Sequence, residues 1–286
     1  MSAKHYSDTS AFSRGAMYEE LVGVTSTRAA AAALSHLPLS TYNADTKILD
    51  SACGPGIVTK LLLSPSPNYI SVPGLPIKPS PAVVGIDLSQ PMIDQYKANA
   101  SSLQWDTAEA YAQSAQDLSR FAENHFDAVV MSLGIFTLPD AIAGTREMYR
   151  VLKPGGHVVI TTWKTRRPQD LMMKVSRTIR PDGEKVMDLD PKWSTVKHLV
   201  NVMKEAGFGD DKVKVDETAP NWVLGSVSGI VEGLSSPMFT ALFHKGWSEE
   251  EINRWGIEIE KQLTEEEKQT GSLEMVALIC AARKES

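Results

Sequence analysis

Apolar positions along this chain fall into short blocks separated by polar, glycine-rich and proline-rich stretches. Four blocks are short and rich in apolar, often branched residues: 47–51, 82–87, 126–132 and 157–163; residues 107–114 should hold a further short strand, the third in order. Blocks of this length bounded by turn residues predict buried strands. Between them lie segments with helical spacing. One runs over about 56–63, one opens at Ser89 with Pro91 in its first turn, and one covers about 140–151. Strands alternating with helices predict a parallel sheet covered on both faces. Residues 16–37, rich in alanine and leucine, read as one or two helices ahead of the first strand, joined to it by 38–46. Residues 64–81 read as an inserted loop, with six prolines between 65 and 81. Lys153-Pro154-Gly155-Gly156 reads as the turn into the fifth strand.

Beyond Trp163 the pattern is less regular. Residues 168–190 read as helix and loop, and 194–206 as a helix stopped by Gly207. Val213-Lys214-Val215 alternates like a strand. Residues 220–245 are apolar, small and aromatic, 248–263 a charged helix, and 275–282 a final strand. No internal repeat is visible. The domain reading is one unit over 1–286: an N-terminal helical cap over 1–40, a ligand-binding core over 46–163, and a variable region over 164–262 interleaved with the last strands.

Composition changes this picture little. A chain of 286 residues with 42% hydrophobic and 22% charged positions is of ordinary globular type and can bury a good core. Its net charge of −6 argues against a nucleic-acid partner, which needs a concentrated basic face. Lys164, Arg166 and Arg167 form one short basic cluster, read as a solvated loop. Cys53 and Cys280 are the only cysteines, and both read as reduced thiols, which suits a cytoplasmic location. Met1 to Arg14 is polar without an apolar signal core, and no run is long enough to span a membrane. No His, Cys or Asp spacing suggests a metal site.

The chemistry concentrates in Ile48-Leu49-Asp50-Ser51-Ala52-Cys53-Gly54-Pro55-Gly56, a strand running into a tight glycine turn and a helix. Glycine in such a turn lets a ligand approach the backbone. Asp87 ends the next strand, and ligands in open α/β sheets sit outside the strands' carboxyl ends, so Asp50 and Asp87 are expected to face one crevice. Two ligands compete. A nicotinamide or flavin dinucleotide wants G-x-G-x-x-G with free N–H groups for a pyrophosphate. Here Gly54 and Gly56 are followed by Thr59, Pro55 removes a donor, and Asp50 adds negative charge. S-adenosylmethionine has no phosphate; it carries a sulfonium, an ammonium and a ribose diol, which suit two carboxylates.

Together with this turn and Asp87, three further stretches carry a resemblance. They are Ser114-Ala115-Gln116-Asp117-Leu118, Phe126-Asp127-Ala128-Val129-Val130-Met131-Ser132, and Tyr149 through Ile160 around Lys153-Pro154-Gly155-Gly156. In order and spacing, over about 46–163, they resemble the class I S-adenosylmethionine-dependent methyltransferases. Ala52 stands where that family more usually has glycine, and Ser114 where it often has an acid. The chain looks closest to methyltransferases of fungal secondary metabolism, and bis-thiomethyltransferases acting on dithiol diketopiperazines are one branch it is similar to.

The resemblance implies a Rossmann-like α/β fold: a seven-stranded, mostly parallel sheet, its last strand antiparallel, with a helical lid. It implies S-adenosylmethionine as cofactor, held by Arg14, Tyr18, Asp50, Ala52, Gly54, Gly56, Asp87, Leu88, Met92, Ser114, Ala115 and Ser132. Arg14 would pair with the methionyl carboxylate. Phe136, Trp163, Trp222 and Phe243 are candidate walls of a small-molecule acceptor pocket; core packing is the alternative for each. His244 is the candidate base, while His157 and His198 read as structural. The acceptor is a thiol, amine or hydroxyl. A protein that binds the cofactor without transferring a methyl group, as a regulator or cyclisation scaffold, is a second class, and a dehydrogenase a third. Oligomeric state is not legible.

Overall fold

The computed structural model describes residues 15–183, 188–209 and 212–285, with the backbone alone at 15–22 and at Leu242. The chain enters on one helix, α1 (Gly15–Leu34), where one or two were expected. Its alanines 29–31 and 33 are small enough to let it settle on α2 and on the sheet, and they are buried. Five strands and three helices follow. They comprise β1 (Lys47–Ser51), α2 (Ile57–Leu63), β2 (Ala82–Asp87), α3 (Gln90–Ser102), β3 (Ala108–Ala112), β4 (Phe126–Met131), α4 (Ala141–Val151) and β5 (Leu152–Arg166). Strands β1 to β5 pair in parallel, as the helix-separated blocks predict.

The sheet order is β3-β2-β1-β4-β5-β9-β6, with β6 (Lys214–Thr218) at the edge and β9 (Met275–Arg283) inserted antiparallel between β5 and β6. The fold class expected from the resemblance is the one observed. Strand order reverses at β1, between β2 and β4, so the crevice for a ligand opens outside the carboxyl ends of these strands.

Two apolar clusters cover the sheet's faces. One joins α1, α2 and α3 to Ile48, Val83, Ala128, Val130 and Val159; the other joins α4 and α6 (Val196–Glu205) to Leu49, Val84, Val129, Val158 and Ile160. The period-two alternation of each strand sends successive residues to opposite clusters.

Strand β5 is longer than the 157–163 expected. It begins at the glycine turn, where Gly155 N–H donates to the Lys284 carbonyl, and it continues past a bulge at Trp163/Thr165 because β9 pairs with it as far as Arg166↔Met275. From its carboxyl end the chain passes into α5 (Arg167–Ile179) and then a cap of α7 (Val227–Leu234), α8 (Pro237–Phe243), α9 (Glu249–Gln262), α10 (Glu265–Thr270) and a two-stranded ribbon of β7 (Trp222–Val223) with β8 (Ser272–Leu273). Residues 220–245, which showed no regular pattern, thus contain two short helices. Ser226 caps the first by accepting from Gly229 N–H, and Ile230 and Leu234 bury its inner face. The cap has its own core: Leu171, Met172, Val175, Trp222, Ile230, Phe243, Trp255 and Ile259 among others. No helix of the described residues is long and apolar enough to cross a membrane.

Candidate functional site

The turn between β1 and α2 is held from below by its own backbone. Cys53 N–H donates to the Ile86 carbonyl at the end of β2 (2.8 Å), and Gly56 N–H to the Cys53 carbonyl (2.9 Å). Ala52, Gly54 and Gly56 all take positive φ, at 55°, 52° and 94°. Ala52 therefore occupies a conformation that costs a side-chain-bearing residue roughly 1 kcal/mol, which is the physical sense of the glycine more usual there. Ala52→Gly is expected to raise the melting temperature by a few degrees without changing ligand affinity; a lower melting temperature would show that the Ala52 methyl, packed on the sheet cluster, matters more than the strain.

Asp87 stands at the tip of β2. Its two carboxylate oxygens accept from Gly54 N–H and Ser89 N–H, each at 2.9 Å. One side chain thus ties the β1 turn to the β2 turn across the crevice mouth. Burial pushes its pKa up, against these two hydrogen bonds. Each oxygen retains lone-pair capacity for a hydroxyl donor. Leu88 beside it is 74% exposed, an apolar surface open at the carboxyl edge.

Asp50 lies near the end of β1. It shares the face of β1 that carries Ile48, the side on which α2 and α3 pack, and it is 1% exposed. Its Oδ2 accepts both the Thr59 hydroxyl (2.8 Å) and the Thr59 N–H (3.2 Å). Through Oδ2, Asp50 braces the first turn of α2. Desolvation pushes its carboxyl up to about 7, with Asp87 adding to the rise. The folded protein then holds a proton that the unfolded chain releases between about pH 4 and pH 7. This contribution favours folding below pH 4 and is lost as pH rises through 7. Asp50→Asn, which keeps an acceptor for both Thr59 donors, is expected to raise stability at pH 8 by on the order of a few kcal/mol and to change little at pH 4. Thermal melts across that range check the sign.

The remaining expected cofactor residues divide. Ser114 lies beyond β3 and its hydroxyl accepts from Gln116 N–H (3.2 Å), while Ala115 is buried on the sheet cluster. Ser132 follows β4; next to it Leu133, at φ 58°, donates its N–H to the Thr161 hydroxyl (2.8 Å) and packs on the same cluster as Ala52. Asp87, Leu88, the glycine turn, Ser114 and Ser132 therefore all stand at the carboxyl ends of neighbouring strands. Met92 lies on α3, which follows β2. It is 7% exposed, part of the inner face of α3, because the helix period that buries Ile93 and Tyr96 takes Met92 with them. Tyr18 lies on α1, and Arg14 falls outside the described residues.

The four expected acceptor walls are not one surface. Phe136 and Trp163 pack on the sheet cluster, whereas Trp222 and Phe243 are buried inside the cap. Trp222 meets Phe239 edge to face at 5.7 Å, and Phe243 meets Trp255 at 5.5 Å. His244 ends α8 between Trp247 (4.9 Å) and Trp255 (4.8 Å); burial lowers its pKa and its Nε2 has no hydrogen-bond partner. Sequence reasoning missed Tyr96 and Thr59, which complete the bracing of the turn. Their signal was polar atoms on otherwise apolar helix faces. Among the described residues no group of three His, Cys, Asp or Glu could hold a metal ion.

The turn's hydrogen bonds decide between the two ligands. The N–H groups of Cys53, Gly54, Gly56 and Thr59 are all occupied, by Ile86, Asp87, Cys53 and Asp50, and Pro55 has none. A pyrophosphate would find an acid and spent donors there. A ligand with hydroxyls, a cation and an apolar base fits Asp87 and Leu88.

The match to known proteins agrees. Residues 49–160 match the family model described as a methyltransferase domain. The methyltransferase tpcH of Aspergillus fumigatus is 26% identical over 249 residues, covering 83% of this chain and 84% of that protein. The ubiquinone/menaquinone biosynthesis C-methyltransferase UbiE of Geotalea daltonii is 33% identical over 127 residues, 44% of this chain, so the match spans about half of that protein's length (49%). The solved structure of Haemonchus contortus phosphoethanolamine N-methyltransferase 2 with phosphomonomethylethanolamine and S-adenosylhomocysteine shares the fold, at a TM-score of 0.53 and 17% identity, covering 100% of this chain and 61% of that one. Residues 49–160 are thus similar to a methyltransferase domain, in keeping with the resemblance of this stretch to the class I S-adenosylmethionine-dependent methyltransferases.

Proposed function

We propose that this protein transfers a methyl group from S-adenosylmethionine to a small-molecule nucleophile. The observation that carries the reading is Asp87: a carboxylate at the strand-order reversal, tied to the glycine turn, beside an exposed apolar Leu88. When bound, the cofactor supplies an electrophilic methyl on a sulfonium, which carries the difficult chemistry. The protein's part is orientation and exclusion of water. Asp87 would accept from the ribose hydroxyls, Leu88 would cover one face of the adenine, and Ser114 and Ala115 would frame its edge. Ala52, Gly54 and Gly56 let the methionyl end lie close to the backbone, with Ser132 at the end of β4 near the methyl. Tyr18 and Arg14 would close over the methionyl carboxylate.

The cap, rising from the carboxyl end of β5, would receive the acceptor. The accepting atom decides whether a base is needed. A thiol arriving as thiolate attacks in line unaided, whereas an alcohol or ammonium must lose a proton. His244, neutral and unpartnered at Nε2, is the imidazole the cap offers. With a thiol acceptor, the reading favoured by the resemblance, His244→Gln is expected to hold kcat within about threefold; a loss of about 10²-fold would assign the acceptor to the N–H or O–H class instead.

Calorimetric titration with S-adenosylmethionine, S-adenosylhomocysteine and NADH tests the reading. Micromolar binding of the first two, followed by labelled-methyl transfer to acceptors of the thiol, amine and hydroxyl classes, is the expected result. Binding of NADH alone would overturn it. Cofactor binding without turnover on any acceptor would move the protein to the scaffold class.

A further inference from the structure

The polar chain behind the glycine turn does not end at Asp50. Tyr96, on α3, is fully buried, and its hydroxyl donates to the Thr59 hydroxyl (3.0 Å), which in turn donates to Asp50. The Tyr96 ring also fills the space under two glycines. A Cβ at Gly56 would lie 2.8 Å from Tyr96 Cδ2, and one at Gly85 would lie 2.7 Å from its Cε2. Gly56 closes the turn and Gly85 lies two residues before Asp87. Trp105 meets the ring edge to face at 5.5 Å and is itself pinned by its indole N–H on the Ser64 hydroxyl (2.7 Å). From the same helix, Asn99 donates to the Pro55 carbonyl (2.9 Å).

We propose that Tyr96 is a positioning residue of the cofactor crevice, setting the height of the glycine turn against β2 through its ring and orienting the Thr59 hydroxyl toward Asp50, which favours the charged carboxylate against the opposing effect of burial. The proposal rests on the cofactor reading above. The ring half of the argument is steric: the turn and β2 approach each other only because both glycines accept an aromatic face where any side chain would collide. The hydroxyl half is electrostatic. Because Tyr96 donates, the Thr59 proton is left to point at Asp50, and a hydrogen bond to the charged form favours that form. The ionisable groups facing Asp50 are Asp87 from β2, Cys53 from the turn and Tyr96 from α3; none is a cation. A ligand bearing a sulfonium and an ammonium in the crevice therefore binds best when Asp50 is ionised, although the two do not touch.

The test compares wild type, Tyr96→Phe and Tyr96→Leu by calorimetric titration with S-adenosylmethionine from pH 6 to 9. The cofactor's own amino group titrates identically in each case and drops out of the ratio. Tyr96→Phe keeps the ring and loses the donor, so Asp50 ionises at higher pH. Its affinity is expected to fall roughly fivefold near pH 7, the size of one hydrogen bond net of solvent, and to converge on wild type by pH 9. Tyr96→Leu is expected to lose affinity at every pH. A Tyr96→Phe ratio that is flat across pH would overturn the proposal. If that variant does not fold, Thr59→Val, which removes the hydroxyl between Tyr96 and Asp50 while keeping the side chain's shape, answers in its place: the same fall in affinity near pH 7 is expected, and a ratio to wild type that is flat across pH overturns the proposal. A wild-type protein that binds no S-adenosylmethionine at all would overturn the functional reading, and is distinguishable from both.

Discussion

Replacing Asp87 with alanine is expected to weaken S-adenosylmethionine binding by roughly 1–3 kcal/mol, about 5- to 150-fold in Kd. Two effects act in the same direction. The ribose hydroxyls lose their charged acceptor, and Gly54 N–H and Ser89 N–H lose theirs, which frees the β1 turn from the β2 turn. Asp87→Asn separates the two. An amide can accept from one of these N–H groups but presents its NH2 to the other, so at least one tie is lost while the side chain keeps its shape. Its affinity should fall between wild type and Asp87→Ala. Calorimetry on the folded variants, with S-adenosylhomocysteine as a second ligand, decides the matter. An Asp87→Ala protein that melts normally and binds the cofactor with unchanged affinity would remove Asp87 from the site.

This site was legible in the chain to the extent that it depends on order along the sequence. A strand, a glycine turn, a helix and an acid ending the next strand are local patterns, and β1, α2 and β2 form over the expected residues because burial on both faces leaves the chain few alternatives. Asp50 ties to Thr59 for a reason the chain does contain. It has the parity of Ile48, so alternation alone turns it to the helix side; reading it by its distance from the glycines hid that. Met92 was likewise read by proximity to Asp87 and not by helix period. What could not be read is what depends on long-range contact. Tyr96 becomes interesting only when α3 is laid across Gly56 and Gly85, and Trp222 joins Phe243 only once residue 222 pairs with Leu273 to form the cap ribbon. The length of β5 likewise depends on β9, more than a hundred residues on in the chain.

Trp255→Ala is expected to be the most destabilising of the changes considered, at about 3–5 kcal/mol for deleting a buried tryptophan. Trp255 is 1% exposed and stands at the centre of the cap, touching Phe243, His244 and Trp247 and donating its indole N–H to the Leu234 carbonyl (3.2 Å). No smaller side chain fills that space, and the Leu234 carbonyl at the end of α7 loses its partner. The damage should stay local, because the cap's cluster is separate from the two clusters on the sheet; Met275 packs at the border of the cap and one of them. Cofactor affinity is therefore expected to stay within about threefold of wild type while kcat/KM for any acceptor falls by at least tenfold, a partition that follows from placing the cofactor on the sheet and the acceptor under the cap. Hydrogen exchange would show faster opening of α7 and α9 with β1, β2 and β4 still protected. Equal loss of cofactor binding and turnover would mean that cap and sheet open as one cooperative unit, joined through the continuous path from β5 into α5, and the division of labour between them would then have to be abandoned.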